Sequence, residues 1–107
     1  MSNSIPLNAD DFKEKILNGQ GLSVVDFWAT WCGPCQMLHP ILDQLGEEEK
    51  ERITVYSVNV DENQNLATEY GVMSIPTLLF FKDGEAVDRT VGLMQLPALK
   101  KKVDELS

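Results

Sequence analysis

Long apolar segments and basic clusters are both missing from this sequence of 107 residues. Nowhere do about 18 apolar residues follow one another, the length that a membrane-spanning helix needs. Only 9 Lys and Arg stand against 17 Asp and Glu, which gives a formal net charge of -8. This charge would repel nucleic-acid phosphates and anionic lipids. We therefore expect neither nucleic acid nor membrane as a partner, and we interpret the basic run Lys100 to Lys102 as a solvated helix face.

Cysteine is equally scarce, with two residues in a single Cys-x-x-Cys. Two cysteines are too few for the disulfide framework of a small secreted protein. The first six residues also lack the basic and apolar regions of a secretory signal. We expect a cytoplasmic protein whose cysteine pair, Cys32 and Cys35, is catalytic or metal-binding.

What the chain does contain is typical of one packed domain. Hydrophobic residues make up 43% and charged residues 24% of the sequence, which is close to the average for globular proteins. Repeats, low-complexity stretches and linkers are not found. We expect a single domain over residues 1–107.

Strands and helices alternate in the first half of the predicted structure. Asn8, with Asp11 as its capping partner, begins a first short helix. The apolar run 22–29 predicts a strand buried on both faces. A long amphipathic helix follows from Pro34, and Pro40 is expected to kink it.

A mixed sheet is predicted in the second half. Residues 53–60 indicate a second parallel strand, after which Asp61 is expected to cap a short helix that ends at Gly71. Residues 77–81 and 85–91 flank an Asp-Gly pair that suits a type I′ hairpin turn. A last amphipathic helix, with Pro97 in its first turn, completes an α/β fold.

The Cys-x-x-Cys motif falls where the buried strand ends and the long helix begins, which is the context of a redox motif. Free amides and the helix dipole favour the thiolate there, so we expect a lowered pKa of the Cys32 thiol and a nucleophilic role. Cys35, one turn further in, is expected to be the buried resolving thiol. Gly33 and Pro34 are expected to tune closure of the disulfide.

Zinc is the rival interpretation of this motif, because Cys32, Cys35 and His39 share one helix face. Structural zinc takes four ligands, and the sequence has no further Cys or His. We favour redox chemistry without a metal, and interpret His39 as an ordinary, partly buried histidine.

Two further residues each allow two interpretations. Asp26 interrupts an apolar strand, and is either a hydrogen-bonded carboxylate near an edge or a buried acid with a raised pKa that accepts a proton from Cys35. Pro76 precedes a strand, where proline is usually trans, although a cis bond in a tight turn is the functional alternative.

The chain resembles the thioredoxin family over essentially its whole length. The residues that carry the resemblance are Asp26-Phe27-Trp28-Ala29, Trp31-Cys32-Gly33-Pro34-Cys35, Pro40, Asn59-Val60-Asp61, Tyr70-Gly71-Val72, Ile75-Pro76-Thr77 and Val91-Gly92. The resemblance implies a five-stranded mixed sheet flanked by four helices. It also implies a cis Pro76 against the Cys32-Cys35 disulfide, and an apolar surface for substrates. That surface comprises Trp31, Gly33, Pro34, Ile75, Pro76, Val91 and Gly92.

The function implied is that of a protein-disulfide reductase, a monomer that takes electrons from a thioredoxin reductase and needs no bound cofactor. In that family the nucleophilic thiol has a pKa of about 7 and the pair a potential of about -270 mV. The chain departs from the family at Ser57, where lysine is common, and at Met73, where a basic residue is frequent. An isomerase or oxidase of the same fold, and a binding module with idle thiols, are the alternatives.

Overall fold

One mixed sheet of five strands forms the centre of the computed structural model, which describes residues 4–107. The strands are Ile5–Pro6 (β1), Leu22–Trp28 (β2), Ile53–Asn59 (β3), Thr77–Lys82 (β4) and Glu85–Val91 (β5). Their order is β1-β3-β2-β4-β5; β3 pairs in parallel with β1 and β2, and β4 is antiparallel to β2 and β5. The predicted mixed sheet is confirmed, and β2 is its central strand.

Helices cover both faces of the sheet. They are Ala9–Phe12 (α1), continued by a π-helical turn over Lys13–Leu17, Gly33–Glu48 (α2), Gln64–Glu69 (α3) and Leu96–Leu106 (α4). Helix α2 is continuous through Pro40. Across residues 4–107, none of the helices combines the length and apolar character required to traverse a bilayer.

Side-chain caps mark the starts of α1 and α2, whereas α3 and α4 begin without one. The Asn8 side chain accepts the N–H of Asp11 at 2.9 Å, as predicted, and Gly71 follows α3 at φ 65. The prediction that Asp61 caps α3 is wrong, because the N-cap is Asn63. The Asp61 carboxylate instead accepts a hydrogen bond from the indole N–H of Trp31 at 2.8 Å.

The β4–β5 hairpin turns through Asp83 and Gly84, whose φ angles of 51 and 87 are both positive. This is the backbone of the predicted type I′ turn. Glycine is required at the second position for another reason as well. A Cβ on Gly84 would lie 2.5 Å from the carbonyl oxygen of Leu17.

The core lies in two layers, one on each face of the sheet. Helices α2 and α4 bury the first layer, whose members include Val24, Leu38, Leu42, Leu78, Phe80, Leu99 and Val103. Helices α1 and α3 bury the second, whose members include Phe12, Ile16, Val25, Phe27, Leu66, Leu79 and Phe81. Because β2 contributes to both layers, packing from two sides fixes the strand that leads into Cys32.

Leu42→Ala tests this packing. Leu42 is 1% exposed between α2 and the sheet, and truncating such a leucine leaves a cavity. We expect the free energy of unfolding to fall by about 2 to 5 kcal/mol in denaturant melts. The matched control is Leu17→Ala, since Leu17 is 39% exposed and should lose about 1 kcal/mol or less. Equal losses in the two variants would contradict the assignment of Leu42 to the core.

Candidate active site

The two cysteines lie where β2 ends and α2 begins. Cys32 is the N-cap of α2, and a proline follows in the first turn. Cys32 and Cys35 are joined by a disulfide, with their Cα atoms 5.3 Å apart. Cys32 is 5% exposed whereas Cys35 is 0% exposed. Of the two sulfurs, that of Cys32 is therefore the one that a substrate can approach first.

The start of α2 directs a hydrogen-bond donor at Cys32. The backbone N–H of Cys35 donates to Cys32 Sγ at 3.2 Å, in place of a capping oxygen. In the reduced protein this amide and the positive end of the helix would stabilise a thiolate on Cys32. The arrangement can hold a nucleophilic sulfur at neutral pH.

A second segment approaches the sulfur from the other side. The Ile75 carbonyl oxygen lies 3.8 Å from Cys32 Sγ, and Ile75 packs against the cluster formed by Ala29 and the two cysteines. The Ile75–Pro76 bond is cis, as the resemblance implies. The backbone N–H of Gly92 donates to the Pro76 carbonyl at 2.8 Å, so the structure brings these distant segments together.

The surface beside the disulfide is apolar and exposed. Trp31 is 69% exposed and Val91 58% exposed, and Met73 reaches 95%. A Cβ added at Gly33 or Gly92 would meet nothing within 4 Å. Of the predicted substrate-contacting residues, Trp31, Gly33, Pro34 and Val91 are exposed, Ile75 and Gly92 are half-buried, and Pro76 is buried. The indole N–H of Trp31 donates to the Asp61 carboxylate.

Asp26 lies in the sheet behind this site. It pairs with Ser57 of β3 and Leu78 of β4, and it is 1% exposed. Neither carboxylate oxygen has a well-directed hydrogen-bond partner among residues 4–107. Burial raises the pKa of Asp26, and the nearby imidazole of His39 partly opposes that increase. Asp26 is therefore a buried acid with a raised pKa in the central strand of the sheet, and it does not lie near an edge.

His39 lies next to the buried carboxyl group of Asp26, and no pattern in the sequence predicted this contact. Its Nε2 lies 3.4 Å from Asp26 Oδ2, an ion-pair distance without good hydrogen-bond geometry. Its ring meets the Trp28 ring edge-on, with centroids 5.0 Å apart. No group of three or more His, Cys, Asp or Glu side chains that could hold a metal ion is found in the part of the chain that is described.

Comparison with known proteins agrees with this geometry. The profile of the Thioredoxin family matches residues 3–105. A thioredoxin of Rickettsia felis is 48% identical over 88 residues, which are 82% of this chain and 84% of that protein. A thioredoxin of Chlorobaculum thiosulfatiphilum is 44% identical over 95 residues, 89% and 88% of the two chains.

One of the similar proteins is a chloroplast protein. The chloroplastic thioredoxin M-type of Pisum sativum is 43% identical over 99 residues, covering 92% of this chain and 58% of that protein. The fold, the cysteine pair at the start of α2 and these matches agree with one another. The chain belongs to the thioredoxin family of thiol–disulfide oxidoreductases.

Proposed function

We propose that this protein reduces disulfides of other proteins, with Cys32 as the nucleophile and Cys35 as the resolving thiol. The observation that carries the proposal is the asymmetry of the pair. Cys32 Sγ accepts an amide hydrogen bond at the start of α2, whereas Cys35 is fully buried one turn further in. A thiolate is favoured at the first position, and only the first can meet an incoming disulfide.

The exchange takes place in two displacements. The Cys32 thiolate attacks one sulfur of the substrate disulfide, breaks its S–S bond and releases the first substrate thiolate. Cys35 then loses its proton and attacks Cys32 in the mixed disulfide, which releases the second thiolate. The substrate gains two electrons, and the Cys32–Cys35 disulfide seen in this structure is the oxidised product.

Asp26 is proposed as the proton acceptor for Cys35. Its burial raises the pKa of the carboxyl group, which brings its proton affinity closer to that of a thiol. His39 contacts Asp26 and follows Cys35 by four residues along α2. Asp26 therefore lies beside the helix face that also carries Cys35.

The exposed apolar surface is proposed as the substrate site. The residues proposed to contact substrate are Trp31, Ile75, Pro76, Val91 and Gly92. Ile75 packs against the cysteine pair, and we expect its backbone to bind an extended substrate chain. Gly33 and Pro34 tune the disulfide by leaving the helix start open and presetting its first turn. Trp31 and Val91 present exposed apolar side chains, which favours many substrates over one.

The cellular setting follows from this chemistry. We propose a monomeric, single-domain protein over residues 1–107 that works in the cytoplasm, a reducing compartment suited to a disulfide reductant. A thioredoxin reductase would return electrons to the Cys32–Cys35 disulfide, which makes the protein an electron carrier in cell redox homeostasis. No bound cofactor, metal, nucleic acid or membrane enters the proposal.

Serine variants separate the roles of the two cysteines. We expect Cys32→Ser to lose disulfide reduction, because no nucleophile remains at the surface. Cys35→Ser should stop at a stable mixed disulfide on Cys32, because release needs the second thiol. A disulfide-reduction assay measures the loss in Cys32→Ser, and mass spectrometry identifies the cysteine that carries the trapped adduct in Cys35→Ser. An active Cys32→Ser variant with an adduct on Cys35 would reverse the assignment.

Val91→Glu tests the substrate surface. A carboxylate there must lose its hydration when a protein docks, so we expect the KM for a protein disulfide to rise about tenfold, equivalent to about 1.4 kcal/mol. Rates with oxidised glutathione, which covers little of the surface, should stay unchanged. Val87→Glu on the same strand is the control, because Val87 is also exposed, at 45%. A matching loss in the control would show that charge alone causes the effect.

Asp26→Asn tests the buried acid through the pH dependence of stability. The pKa of Asp26 is raised in the folded state, so its contribution to stability is complete below the unfolded pKa of about 3.9 and is lost as pH rises through the folded pKa. The neutral variant escapes this loss and should be the more stable protein at high pH. Each pKa unit between the folded and unfolded states corresponds to about 1.4 kcal/mol.

Denaturant melts of wild type and Asp26→Asn over a range of pH measure the difference in unfolding free energy. A difference that does not vary with pH would contradict a raised pKa. Turnover of the same variant checks the proposed proton transfer separately, and we expect it to slow because Cys35 loses its acceptor.

A further inference from the structure

A groove of about 880 Å³ lies between the start of α2 and the carboxyl ends of β2 and β3. Its walls include Trp28, His39, Ser57 and Asn59. Two of these, His39 and Ser57, are direct neighbours of the buried Asp26. Serine at this position leaves room that a longer side chain would occupy. Solvent can therefore come close to Asp26 without touching it.

His39 is the side chain that connects Asp26 to this groove. Its Nε2 lies 3.4 Å from Asp26 Oδ2, and its side chain is 17% exposed where that of Asp26 is 1% exposed. The edge-on contact with Trp28 holds the ring in this position. Since His39 follows Cys35 by four residues, the two share a face of α2.

The charged groups around Asp26 and His39 favour a single route for a proton between Asp26 and solvent. Ser57 and Leu78, the strand neighbours of Asp26, bring no charge. Along α2, Cys35 lies one turn before His39 and Asp43 one turn after it, and Asp43 and Glu62 both line the groove. Among the described residues of the groove wall, His39 is the single basic side chain. It is thus the group able to carry a proton between Asp26 and water.

We propose that His39 is a positioning residue of the exchange reaction, which holds Asp26 in place and carries its proton to solvent in the groove. The proposal rests on the role proposed above for Asp26. When Cys35 attacks, its proton passes to the Asp26 carboxylate. A small movement of the imidazole closes the 3.4 Å between Nε2 and Asp26 Oδ2 to a hydrogen bond. The neutral Nε2 then takes that proton, Asp26 returns to its ionised form, and the imidazolium releases a proton to water. Reduction of the disulfide reverses the path, so no proton is gained or lost by the protein over a cycle.

The experiment follows the mixed disulfide directly. Reduced protein is mixed with oxidised glutathione and quenched with acid. The glutathione adduct on Cys32 is followed by mass spectrometry from about pH 5 to about pH 8. His39→Gln keeps much of the side-chain volume and an N–H donor but cannot carry a proton, and His39→Ala removes the ring. We expect both variants to resolve the adduct about tenfold more slowly, equivalent to about 1.4 kcal/mol of barrier.

Added imidazole separates proton transfer from shape. The cavity left by His39→Ala opens on the groove, so free imidazole should restore the rate in proportion to its neutral form. Imidazole should not change the rate of wild type. It should also not change the rate of Gln44→Ala, the control on α2, where the Gln44 amide donates a hydrogen bond to Glu48. The pKa of Asp26, followed by carbon NMR, should also rise in His39→Ala, because the opposing imidazole is gone.

Three results would overturn the proposal. They are a His39→Gln variant as fast as wild type, a His39→Ala variant as fast as wild type, and a slow His39→Ala variant that imidazole does not restore. If Asp26→Asn slows the reaction while the His39 variants do not, only the role of His39 fails. If Asp26→Asn is itself as fast as wild type, the proton acceptor has been assigned wrongly, and the path through His39 fails with it.

Discussion

The free backbone amides at the start of α2 determine how the two cysteines and the Ile75 segment are arranged. A helix begins with N–H groups that lack partners within the helix, and here the sulfur of Cys32 accepts one of them at 3.2 Å. The same atom thus caps the helix and is the proposed nucleophile. This double role places the second thiol one turn inside, where Cys35 is fully buried, and leaves the Ile75 segment to form the other side of the site.

That helix start stays in place because β2, the strand before it, is packed from both sides. Core side chains alternate along β2 into the two layers, so a shift of the strand would disturb both at once. As a consequence Asp26 is buried, and neither of its carboxylate oxygens has a well-directed hydrogen-bond partner among residues 4–107. Burial then raises the pKa of Asp26, which brings its proton affinity closer to that of a thiol, as the proposed role of proton acceptor requires.

Features set by neighbouring residues could be predicted from the sequence, whereas contacts across the fold could not. The mixed sheet, the cap of the first helix and the Cys-x-x-Cys at the start of α2 all depend on local patterns. The resemblance implied a fifth strand, but no pattern in the sequence located β1, because its two residues are exposed and carry no hydrophobic pattern. Asp61 was misassigned because its partner, Trp31, is 30 residues away. The pairing of His39 with Asp26 likewise needs a helix laid against a sheet, and no spacing in the chain reveals it.

The central claim is that the helix start stabilises a thiolate on Cys32, and the pH dependence of its alkylation tests this most directly. Iodoacetamide is added to the reduced protein over a range of pH, and the labelled cysteine is identified by mass spectrometry. We predict a rate whose midpoint lies below the ordinary thiol pKa of about 8.5, with label on Cys32. The same protein in denaturant should show the ordinary midpoint, because the helix is gone. A folded-state midpoint at or above about 8.5 would contradict the account.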